Sequence, residues 1–141
     1  MLFYTKISII VAGFLQIALC FGSLLIPKLL NWSGELSNVS KIISQIFWTY
    51  SGYIWATNLF FGLISIYGAD NFLEQTFFSK AISIFIFIYW LTRVLIQFFY
   101  FDTKSAPQGL IYKLGEIALV ALFVFFTLTY GWVTYLNYFG F

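Results

Sequence analysis

Apolar residues fall along this chain in four long runs with little to interrupt them, at residues 7–27, 42–67, 81–101 and 114–136. At a rise of about 1.5 Å per residue, each run is long enough as a helix to cross a hydrocarbon core of about 30 Å. Backbone N–H and C=O groups in hydrocarbon must be bonded within their own segment, so runs of this length predict transmembrane α-helices. The expected fold is therefore an all-α membrane protein, a compact bundle of four transmembrane helices forming a single domain over residues 1–141.

The connections are short. Residues 28–41 contain Asn31-Trp32-Ser33-Gly34-Glu35-Leu36 and predict a turn with an interfacial stretch anchored by Trp32. Residues 68–80 carry Asp70 and Glu74 and predict one or two helical turns, while residues 102–113, with Pro107 and Gly109, predict a tight hydrophilic hairpin. Lys6 followed by residues 7–17 also matches the start of a signal peptide. Ala18-Leu19-Cys20 is a poor cleavage site within an apolar run that continues to Pro27, so a retained helix with Cys20 as a small buried residue is expected.

Within the runs, the polar and small residues are not scattered. Ser44, Trp48, Ser51, Trp55, Asn58, Gly62 and Ser65 recur at alternating steps of four and three, which is one face of a helix. Gly13, Gln16, Cys20, Ser23 and Pro27 follow the same rule in the first run. Small and weakly polar stripes let membrane helices approach closely and bond across the seam. One reading makes these stripes the glue of the bundle. The other has Gln16 and Asn58, both deep in their spans, lining a polar cavity, and in either case their amides need partners.

The third run places Tyr89, Arg93, Gln97 and Tyr100 on one stripe. Arg93 is nine residues before Asp102, so its Cα lies about 13 Å inside the loop end. A guanidinium facing lipid at that depth is costly, so Arg93 should point into the bundle, snorkel toward the interface, or pair. Glu116, in the first turn of the fourth run and on the same membrane side, is the candidate partner. The two differ by about 9 Å in depth, which Gln97 or a water would bridge. Two readings stand: a salt-bridged or snorkelling arginine that fixes packing, or a site for an anionic group such as a lipid phosphate, a carboxylate or a quinone carbonyl.

Composition narrows the function. The chain is 62% hydrophobic and 9% charged, far below the ~25% charged usage of soluble domains. A net charge of +2 with no basic patch argues against nucleic-acid binding. With no histidine and a single cysteine, His/Cys zinc sites, His-ligated haem and an internal disulfide are excluded, and no metal, cofactor or catalytic residue is expected. Tyr4, Trp32, Trp48, Tyr50, Tyr67, Tyr100, Tyr112, Tyr135 and Tyr138 fall near run ends, where aromatic rings favour the headgroup zone. With four spans, Lys6 and Lys80 share one side, and Lys28, Lys41, Lys104 and Lys113 share the other. That bias places both termini outside the cytoplasm.

Two segments, residues 45–66 (QIFWTYSGYIWATNLFFGLISI) and 89–102 (YWLTRVLIQFFYFD), resemble parts of small uncharacterised bacterial membrane proteins with four predicted helices. In architecture these are loosely like the DoxX-type group. The resemblance implies a bacterial inner-membrane protein and draws attention to Arg93 and Gln97; it implies no activity. The expected partners are the lipid bilayer, another membrane subunit or further copies of the chain, and a lipid or quinone ligand. The leading expectation is an accessory membrane component. The alternative is a binding or transport protein for a lipid-like, quinone-like or small anionic molecule, with Arg93, Gln97, Glu116, Asn58, Gln16 and Tyr89 as its polar cluster. A membrane enzyme comes third.

Overall fold

The computed structural model describes residues 2–101 and 109–140. Among these residues the chain is helical throughout, with no strand. Helix α1 (Leu2–Ser23) is followed by two single-turn helices, α2 (Ile26–Leu29) and α3 (Trp32–Glu35), and a 3-10 turn at Leu36–Asn38. Then come α4 (Lys41–Tyr67), a 3-10 turn at Asn71–Leu73, α5 (Phe77–Phe99) and α6 (Leu110–Phe139). Helices α1, α5 and α6 are long and apolar enough to cross a membrane. Helix α4, at 27 residues, has the length. Its stripe of Ser, Trp and Asn lowers its hydropathy below that of the other three.

Several boundaries differ from those expected, for identifiable reasons. The first helix ends at Ser23 rather than Pro27. Proline has no N–H and its ring crowds the carbonyl four residues back, so the helix closes with turn bonds at Leu24 and Leu25 and restarts with Pro27 in the first turn of α2. Helix α5 begins at Phe77, four residues before the apolar run, because the Thr76 hydroxyl accepts from the Ser79 N–H at 3.2 Å and caps it there. It ends at Phe99 rather than 101. Helix α6 runs over Leu110–Phe139 rather than 114–136, bounded by Gly109 and Gly140, both at positive φ. Hydropathy marks hydrocarbon, whereas caps and glycines mark the backbone. The 68–80 connection holds a single 3-10 turn, and residues 102–108 of the expected hairpin lie outside the described residues.

The termini of the long helices are tied at one end of the molecule. Lys6 Nζ meets Asp70 Oδ1 at 2.9 Å. Near the end of α6, Asn137 donates to the Phe72 carbonyl at 2.6 Å and accepts from the Gln75 N–H at 3.0 Å and the Ser79 hydroxyl at 3.1 Å. Gln75 has φ +58, a left-handed conformation unfavourable for a residue with a Cβ, and these bonds hold it there. Thus α1 and α5 run one way and α4 and α6 the other. Helix α1 packs along α4, α5 packs along α6, and α1 joins the two pairs through α6. The fourth side, between α4 and α5, is closed by Phe61 against Phe85 and Tyr89, with ring centroids 5.9 and 5.2 Å apart.

Close backbone approach makes the α1–α4 seam. A Cβ on Gly13 would lie 2.8 Å from the Gly62 carbonyl oxygen, and one on Gly62 would lie 2.9 Å from the Gly13 carbonyl oxygen. Further along, Trp55 Nε1 donates to the Cys20 carbonyl at 2.8 Å. The parts of the two small-residue stripes from Gly13 to Cys20 and from Trp55 to Ser65 therefore face each other, and Cys20 is buried as expected. The seam of the α5–α6 pair is aromatic, with Trp90 stacked on Phe123 at 5.3 Å and tilted against Phe126 at 4.8 Å.

Candidate functional site

The polar residues inside the bundle separate into a closed network and an open cluster. The closed network is centred on Gln16, whose side chain is fully buried. Its amide donates to the Tyr130 hydroxyl at 2.6 Å and to the Ala12 carbonyl at 3.2 Å, and its carbonyl accepts from Trp90 Nε1 at 3.1 Å. Tyr130 in turn bonds Ser65 Oγ at 2.5 Å. One amide thereby links α1, α4, α5 and α6. Every polar atom of Gln16 is used, leaving nothing with which to hold a ligand. Gln16 is thus a packing element and does not join Arg93.

Four of the expected residues do come together, on the α4–α5 side. Asn58 of α4 lies beside Tyr89 of α5, and Tyr89 neighbours Arg93 one turn further along the same helix. Arg93 Nη1 donates to Gln97 Oε1 at 3.3 Å. The guanidinium carbon lies 4.8 Å from the centre of the Phe123 ring on α6 and 4.9 Å from that of Phe101. Helical side chains normally lean toward the N-terminus. That of Arg93 instead meets Gln97, one turn toward the C-terminus, and Phe101 beyond the helix end, so it extends toward the 100–109 end of the bundle.

The expected link to Glu116 is not made. Glu116 is exposed, and among the described residues the ion pair formed is Lys6–Asp70. The reason is one of direction. Glu116 is early in α6, seven residues before Phe123, whose ring meets the guanidinium. About 10 Å of helix separates them. Arg93 is therefore half-buried and flanked by two phenyl rings, and among the described residues its guanidinium bonds one neutral amide. Deeper in, Asn58 Oδ1 is buried with no hydrogen-bond partner.

The cluster can hold an anion. A guanidinium presents a planar fork of donors that matches a phosphate or carboxylate, and rings beside it lower the local dielectric and strengthen the attraction. Two grooves also flank Leu128 and Trp132, of about 220 Å³ between α1 and α6 and about 400 Å³ between α5 and α6. Neither reaches the Arg93 cluster. Sequence reasoning missed Tyr130 and Asn137. They lie seven residues apart on the buried stripe Phe123, Phe126, Tyr130, Val133, Asn137, and that spacing was the available signal.

Compared with known proteins, the chain matches no family model, no curated protein and no solved structure.

Proposed function

We propose that the chain is a four-helix integral membrane protein, both termini outside the cytoplasm, that binds an anionic group at Arg93. The crossing of α4 is supported by connectivity. If α1 and α5 cross in the same direction, the chain must return across the bilayer between them, and α4 is the helix that makes that return. The anion-binding reading rests on one observation: a half-buried guanidinium that, among the described residues, bonds a neutral amide and meets two rings but pairs with no carboxylate. An intramembrane arginine left in that state favours a negatively charged partner.

Mass spectrometry of gently solubilised protein tests this. A stoichiometric anion on the wild-type chain, absent from Arg93→Gln at unchanged helical circular dichroism, is the expected result. A wild-type chain free of any small molecule would contradict it.

A second reading, an accessory component that docks on another membrane subunit or on further copies of itself, is favoured by the first half of α4. From Lys41 to Tyr50 every side chain except Ser44 is exposed, and among the described residues the ring contact from another helix to this stretch is Trp32 of α3 on Phe47 and Trp48. Co-purification of a defined partner in place of an anion would favour this reading.

A further inference from the structure

We infer that the group held at Arg93 is the phosphate of a membrane phospholipid, taken from the leaflet at the 100–109 end of the bundle. This rests on the anion-binding reading above and adds the identity of the anion and the route by which it arrives.

Depth is the first argument. Lys80 is the last charged residue before Arg93, 13 residues or about 20 Å away along α5. A hydrocarbon core of about 30 Å counted from Lys80 ends near residue 100. Gln97 is about 6 Å further along the axis than Arg93, and Phe101 lies past the end of the helix. A guanidinium touching both is within about one turn of that boundary. Its Cα is in hydrocarbon, and its charge is at the level where acyl chains give way to phosphates.

Direction and surroundings are the second. The donors face the end of α5, and Gln97 accepts from Nη1 and so positions the fork. The outward faces of the two helices at this end expose Phe98 and Phe99 on α5 and Leu114 and Ile117 on α6, with Lys113 and Glu116 exposed among them. The exposed rings and aliphatic side chains suit acyl chains beside a phosphate. A lipid reaches this position laterally, without leaving the bilayer.

The test uses delipidated full-length protein in detergent and three probes: phosphatidylglycerol, the matching diacylglycerol without phosphate, and inorganic phosphate. Native mass spectrometry should show one phosphatidylglycerol per chain that millimolar inorganic phosphate does not displace. Occupancy by diacylglycerol, or by phosphatidylglycerol on Arg93→Gln, should be lower by about tenfold or more, the worth of a charge-assisted pair of bonds. Equal retention of phosphatidylglycerol by Arg93→Gln, or equal binding of diacylglycerol, overturns the inference. Displacement by inorganic phosphate also overturns it and makes free phosphate the ligand.

An Arg93-dependent carboxylate or free phosphate would leave the anion-binding reading intact while removing the lipid. If no Arg93-dependent adduct of any kind appears, both fall. The wild-type chain supplies a measurement independent of variant folding. A phosphatidylglycerol with a photoreactive group near its headgroup should label the C-terminal turns of α5 and the adjoining part of α6. Labelling confined to the opposite end, around residues 68–80, would overturn the assignment.

Discussion

Gly13 and Gly62 show how much one absent methyl group decides. A Cβ at either position meets the other's carbonyl oxygen at under 3 Å, and backbone cannot move aside as a flexible side chain can. Gly13→Ala should therefore destabilise the protein by about 1–3 kcal/mol, the usual range for overpacking. Gly52 and Gly115 are also helical, but a Cβ there meets nothing within 4 Å. Alanine at those positions should be neutral or stabilise by about 0.5–1 kcal/mol through helix propensity alone. Thermal melting in detergent, followed by circular dichroism, separates the two classes.

Asn58 and Asn137 differ in the same way. Asn58 Oδ1 has no partner, and a buried unsatisfied group costs about 1–3 kcal/mol, so Asn58→Leu should be neutral or stabilising. Asn137 satisfies Phe72, Gln75, Ser79 and Ser83 at once. Asn137→Leu removes the partner of the Phe72 carbonyl and of the Gln75 N–H, while Ser79 and Ser83 keep their bonds to backbone carbonyls, and at about 1–3 kcal/mol for each group left buried and unbonded it should rank as the more damaging change.

Between elements, the Gln16–Tyr130–Ser65–Trp90 network does what a hydrophobic core does in water. Lipid is as apolar as leucine, so helices in a bilayer associate through close packing and interhelical bonds. Tyr130→Phe keeps the ring and removes the hydroxyl that α1 and α4 both use. It should lower stability by about 1–3 kcal/mol, through the Gln16 amide left with one acceptor fewer. Gln16→Leu removes the partner of Trp90 Nε1 as well. Because the residues act as one unit, the double variant should cost less than the sum of the two, a coupling readable from denaturation in mixed micelles. Additive losses would mean that the bonds act separately.

At the scale of the whole molecule, the arrangement predicts which segments share a membrane side. Lys6–Asp70 and the Asn137 bonds gather both termini and residues 68–76 at one end, and residues 24–40 lie at the other. A membrane-impermeant maleimide applied to intact cells should label Glu74→Cys and leave Ser37→Cys unlabelled. Native Cys20, 1% exposed, should stay unreactive in both. Labelling of both positions from the same side would remove α4 as a crossing helix. The reverse pattern would keep four crossings and overturn the orientation drawn from the lysines.

Four runs, their order and the existence of a helical chain rich in apolar surface follow from hydropathy and period alone, because each helix satisfies its own backbone without reference to its neighbours. The α1–α4 seam was legible for the same reason, since Gly13, Cys20, Trp55 and Gly62 mark faces by spacing. Candidate residues were legible too: a lone intramembrane arginine and its stripe neighbours Tyr89 and Gln97 stand out in any apolar text. Which of them meet was not. Rotation and axial offset of one helix against another turned Gln16 toward Tyr130, left Glu116 about two turns away from the Arg93 guanidinium, and brought in Phe123 in its place. Those are distances between helices, and no pattern within one helix contains them.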